Sequence, residues 1–104
     1  MDKAQIYKAF SEQHGIKNQM IKVIEELAEL QKELCKYSLY NQEKDSFSIL
    51  TNICEEIADV EIMLEQLKII LKGIDGSLLP MIGNFKNDKL QRMERGLQEA
   101  KECI

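Results

Sequence analysis

Tryptophan is absent from this sequence, and its 104 residues include only three Tyr and three Phe. There is a single proline. Sandwiches and barrels draw on aromatic and β-branched strands with frequent turn residues. The scarcity of aromatics and proline turns the expectation toward helices. Three cysteines, Cys35, Cys54 and Cys103, lie far apart and form no CxxC. That excludes a disulfide framework and reads as reduced thiols, small apolar fillers in a cytoplasmic protein. The one histidine, His14, stands alone, and the ExxH pairs of di-iron bundles are missing. No apolar run approaches a membrane span, and the opening MDKAQIYKAF has no signal-peptide core. Basic residues are in the minority, 14 against 18 acids, for a net charge of −4. A sequence-independent nucleic-acid binder needs a basic face, so that class is disfavoured. A phosphate-bearing ligand stays open, because bound cations reverse a local field.

What is present is helical periodicity in a chain the size of one domain, 1–104. Helices are expected over about Asp2 to Gln13, Lys17 to Tyr37 or slightly beyond, Asp45/Ser46 to Leu71, and from somewhere in Ser77–Asn84 to near Cys103. His14-Gly15 reads as a helix stop. The polar run from Tyr40 to Asp45 reads as a loop, and Gly73 and Gly76 read as a break. No segment alternates at period two for long enough to make a strand. The expected fold is an all-α antiparallel bundle of about four helices. One copy would bury a modest share of its surface, so completion by a second copy is expected.

The second stretch carries IKVIEELAELQKEL and the third NICEEIADVEIML. Each holds an acidic pair at i, i+3: Glu26 with Glu29, and Glu56 with Asp59. Three residues is close to one helical turn, so each pair projects from one side. Most acids so placed are solvated surface residues. At roughly 100° per residue, however, Glu56 falls inside the apolar arc of Ile49, Ile53, Met63 and Leu67, while Glu55 points to the solvent side. Asp59 and Asn52 lie at the edge of that arc. Glu26 borders the apolar arc of its own helix near Gln19 and Leu30, and Glu29 lies farther out. A buried carboxylate is costly unless paired or bound to metal. Oxygen-only ligands select a hard cation, Mg²⁺ first and Mn²⁺ second.

The last stretch reads NDKLQRMERGLQE. Lys89 and Arg92 share a face at i, i+3, with Lys86 one turn earlier. An exposed helix balanced by Asp88 and Glu94 accounts for them. Beside a cation site they also suit a polyphosphate, arginine as a fork and lysine as a point charge.

Glu26-Leu-Ala-Glu29 followed by Glu56-Ile-Ala-Asp59, within HGIKNQMIKVIEELAEL and EEIADVEIML, resembles the MazG-like all-α nucleoside triphosphate pyrophosphohydrolases. The later NDKLQRM resembles that family's Asn-x-Lys-apolar-x-Arg element, at Asn87, Lys89 and Arg92. The resemblance runs from about Phe10 to Gly96 and fits the short single-domain type. It implies hydrolysis of a nucleoside triphosphate to the monophosphate and pyrophosphate, by attack of metal-activated water on the α-phosphorus. Mg²⁺ would be held by Glu26, Glu29, Glu56 and Asp59, with Glu26 or Glu29 as the base. Lys89, Arg92 and Asn87 would meet the phosphates, and Gln19 and Asn52 the base, the sugar or a water. The resemblance also implies a homodimer or homotetramer. A dUTPase or phosphoribosyl-ATP pyrophosphohydrolase of the same superfamily shares the acid pattern. A non-enzymatic helical interaction module is the reading from a different class.

Overall fold

A computed structural model describes residues 1–40 and 46–102 of the chain, without the side chain of Tyr40. It contains three helices: α1, Lys3–Tyr40; α2, Ser46–Ile74; and α3, Leu78–Glu102. No strand occurs among the described residues. The all-α expectation holds, and the described residues form three helices where about four were expected. The first two expected helices are one element, α1, divided by a kink at Gly15 (φ 76°, ψ 162°). That combination is almost confined to glycine, because a Cβ crowds the backbone there. The HG pair therefore marks a sharp change of course.

Asp2 starts α1. Its Oδ1 accepts from the Gln5 amide at 2.8 Å, and the Gln5 Oε1 accepts from the Asp2 amide at 2.8 Å. This reciprocal capping box satisfies two backbone donors at the helix start. The expected loop and the Asp45 cap fall on residues outside those described. α2 begins at Ser46 and outlasts the expected end at Leu71 by three residues. Gly73 therefore lies within it, and the break is confined to Asp75–Ser77. There the Asp75 Oδ1 accepts from both the Ser77 amide (2.9 Å) and the Ser77 hydroxyl (2.8 Å). Pro80 does not delay α3, because a first-turn proline lacks only an N–H that has no helical acceptor.

Two compact units are distinguished, Met1–Ile70 and Leu71–Ile104. In the first, five undescribed residues separate α1 from α2, and a connection that short makes the two helices run antiparallel. Tyr7, Val23, Val60, Met63 and Ile70 form its buried apolar core. The arm ahead of Gly15 is fastened to α2. The Tyr7 hydroxyl donates to Glu65 Oε2 at 2.6 Å, and Lys3 Nζ lies 2.7 Å from the same oxygen. In the second unit no residue of α3 is buried. No helix among the described residues is long and apolar enough to cross a membrane.

Candidate cation site

Glu26 stands on α1, and Glu56 and Asp59 stand one turn apart on α2. One carboxylate oxygen from each lies within 4.8 Å of the others. The short connection and the i, i+3 step bring them together: the antiparallel pairing sets Glu26 against the face that Glu56 and Asp59 share. All three are half-buried. Glu56 Oε2 is shielded from solvent and has no hydrogen-bond partner among the described residues. The Glu26 carboxyl is raised above its ordinary pKa, first by burial, then by the charges of Asp59 and Glu29. Glu56 is raised by the same causes in the same order, burial, Asp59, then Glu26 and Glu29. The acidic neighbours of both carboxyls oppose ionisation, and Lys22 alone, near Glu26, favours it. Three carboxylates that repel one another, one of them with an unpartnered oxygen, fit a hard divalent cation.

Glu29 is exposed and outside the trio, though its charge reaches Glu26 and Glu56. The four expected ligands therefore resolve into three that meet and one beside them. A recess of about 170 Å³ opens at Glu26 and Asp59, walled also by Phe10, Lys22, Ile62 and Met63. Phe10, on the arm, lies with its ring 4.3 Å from that of His14. Asn52 is half-buried, and Gln19 is only 1% exposed. Asn87, Lys89 and Arg92 are exposed on α3 and belong to the second unit. Cys35 and Cys54 are free but exposed, so the expectation of apolar fillers is corrected for both. Cys103 lies outside the described residues.

Gln66 was not among the expected residues. It is 4% exposed, and its Oε1 lacks a partner, as do both amide atoms of Gln19. The signal was present as a seven-residue step: Gln19, Glu26 and Glu33 on α1, and Asn52, Asp59 and Gln66 on α2. Side chains seven apart return to one helix face. With Glu26 facing Asp59, the antiparallel step places Gln19 opposite Gln66 and Glu33 opposite Asn52. The contact face thus carries a polar seam. Glu33 is also buried, held through Oε1 by Lys36 at 3.2 Å, with its Oε2 unpartnered.

Compared with protein-family models, curated proteins and solved structures, the chain matches none.

Proposed function

We propose that this protein is a Mg²⁺-dependent nucleoside triphosphate pyrophosphohydrolase of the MazG-like short type. The observation that carries this reading is the meeting of Glu26, Glu56 and Asp59 within 4.8 Å, with a shielded and unpartnered Glu56 oxygen. The family reading itself rests on the two acidic words and NDKLQRM.

The reaction is (d)NTP plus water to (d)NMP plus pyrophosphate. A water oxygen bonds to the α-phosphorus, and the bond to the α–β bridging oxygen breaks. Glu26, Glu56 and Asp59 hold the cation, Mg²⁺ or in its place Mn²⁺. When bound, the cation neutralises triphosphate charge and acidifies water. Glu29, exposed beside the trio, accepts the proton released by the water, with Glu26 as the other candidate base. Asn87, Lys89 and Arg92 bind the phosphates and stabilise the charge that develops on the pyrophosphate. Asn52 contacts sugar or an ordered water.

The active form is a homodimer or homotetramer. Leu27 and Leu34 on α1 and Ile57 on α2 are 45%, 47% and 41% exposed. An apolar groove of about 390 Å³ runs from Leu27 to Leu39 along α1. Apolar surface of this kind marks an interaction face, and a second copy supplies a matching one.

The test is pyrophosphate release across a panel of canonical and damaged (d)NTPs, with and without Mg²⁺. Turnover that needs Mg²⁺ and is lost in Glu56→Gln supports the reading. Turnover of dUTP alone, or of phosphoribosyl-ATP alone, reassigns the substrate within the same chemistry. Inactivity on every substrate leaves a helical interaction module. Light scattering on the eluted protein gives the copy number.

A further inference from the structure

We propose that Lys22 is a phosphate-binding residue of the Glu26–Glu56–Asp59 site, its ammonium holding an oxygen of the phosphate group that the cation draws into the recess. This rests on the nucleotide reading above and adds to it an anion contact on α1, in the same unit as the acids.

Lys22 stands one turn before Glu26 on α1 and walls the recess together with Glu26 and Asp59. It is the one basic residue of that wall, and the remaining side chains are apolar. It is half-buried, and its charge reaches Glu26, whose ionisation it favours. Yet among the described residues it forms no ion pair; the two that form join Lys3 to Glu65 and Lys36 to Glu33. A lysine four residues before a glutamate is the poorer order for an ion pair on one helix. A lysine kept only to quench the acids would close onto one of them. Lys22 instead leaves its ammonium donors to an anion that enters the recess.

The charge balance points the same way. Three ionised carboxylates exceed one divalent cation by one negative charge. Glu29 adds to that excess from outside the trio. A phosphate brought to such a site is repelled unless a fixed positive charge stands beside the cation. Lys22 supplies that charge from within the first unit, whereas Lys89 and Arg92 are exposed in the second.

Size limits the occupant. Pockets that enclose a whole drug-sized ligand run to roughly 300–1,000 Å³. A recess of about 170 Å³ takes one part of a nucleotide. Carboxylates that hold a cation, with an ammonium one turn away, select the charged part, a phosphate bridging metal and lysine. Lysine suits this as a point charge on a flexible stem.

The test reads two affinities that the proposal moves differently. The full chain is titrated calorimetrically, first with Mg²⁺ alone and then with inorganic tripolyphosphate at saturating Mg²⁺. Lys22→Met removes the charge and keeps most of the stem. It should weaken tripolyphosphate by about tenfold or more, the worth of a hydrogen bond to a charged group. Mg²⁺ affinity should be unchanged or higher, because a positive charge has left the cation's surroundings. The metal-free melting temperature should move by no more than about 4 °C. Lys22→Arg keeps the charge and should recover most of the tripolyphosphate affinity. Unchanged tripolyphosphate affinity in Lys22→Met overturns the assignment and leaves the phosphates to Lys89 and Arg92. A fall in both affinities with a lower melting temperature marks a structural counter-charge and also overturns it. If Lys22→Met does not fold, reductive methylation of wild type read by mass spectrometry decides. Tripolyphosphate with Mg²⁺ should shield Lys22 from labelling, and equal labelling with and without it overturns the contact. Wild type that binds Mg²⁺ but no tripolyphosphate removes the contact and keeps the cation site. Wild type that binds neither removes both.

Discussion

Replacing Gly15 by alanine separates two structures of α1 by the sign of one number. If the helix ran straight through residue 15, glycine would be a helix-interior defect, and alanine would stabilise the protein by about 0.5–1 kcal/mol. At the observed φ of 76° and ψ of 162° the reverse holds. Nothing lies within 4 Å of a Cβ built there, so no neighbour contributes to the effect and the cost is local backbone strain. Strain in that region is on the order of 1–3 kcal/mol. For a domain of this size each kcal/mol moves the melting temperature by about 4–8 °C, so a fall of roughly 4–24 °C is expected. Thermal unfolding followed by far-UV circular dichroism measures it, at one protein concentration because association shifts the midpoint. The chain can relieve the strain by straightening α1, which would pull Tyr7 from Glu65 and Phe10 from the acid recess. Faster amide exchange over residues 3–14 should then accompany the loss. A variant as stable as its parent, with unchanged exchange in the arm, would refute the kink and the fastening of the arm that depends on it.

Mg²⁺ should raise the melting temperature of wild type by relieving repulsion among Glu26, Glu56 and Asp59, and Glu56→Gln should abolish most of that rise. Without metal, Glu56→Gln should be at least as stable as wild type near neutral pH, and a clear loss there would argue against a repulsive site. The pKa directions add a pH signature. Glu26 and Glu56 are raised in the fold, so their contribution is fully present below the unfolded carboxylate pKa and is lost as pH rises through the raised values. The metal-free stability difference between wild type and Glu56→Gln should therefore shift against wild type as pH rises through that window, and a flat difference would contradict it. Glu65 behaves oppositely: its hydrogen bonds to Lys3 and Tyr7 lower its pKa, so its contribution is present above the unfolded value and is lost as pH falls through the lowered one. Tyr7→Phe removes the 2.6 Å bond to Glu65 and should lower the melting temperature and flatten the acid limb of the stability curve. Glu26→Ala should cut pyrophosphate release by about 10–100-fold at limiting Mg²⁺ through loss of a cation ligand, and activity unchanged under those conditions would remove Glu26 from the site.

The sequence by itself determined the all-α class, because periodicity and the lack of strand-forming runs act locally. It located the break at Gly15, since a glycine after a helical run is a local backbone signal. It also singled out Glu56, which lies in an apolar arc and has a shielded oxygen. Only the tertiary structure decided which acids meet. A helical wheel gives the direction of a side chain about its own axis but not the height at which a second helix crosses it. The wheel puts Glu26 at the rim of the apolar arc and Glu29 farther out, but only the pairing brings Glu26 to Glu56 and Asp59 and leaves Glu29 exposed beside them. Gln66 shows the same limit. Read alone it is one polar residue in an apolar helix, and only the fold shows it buried, at 4% exposure, with an unpartnered oxygen. The exposed apolar faces on α1 and α2 also escape the sequence, because a wheel marks them as core, whereas one copy of the chain covers only part of that arc. The cation site thus opened as a spacing of four acids. Contact between helices, a long-range property no single helix encodes, reduced it to three carboxylates with Glu29 beside them.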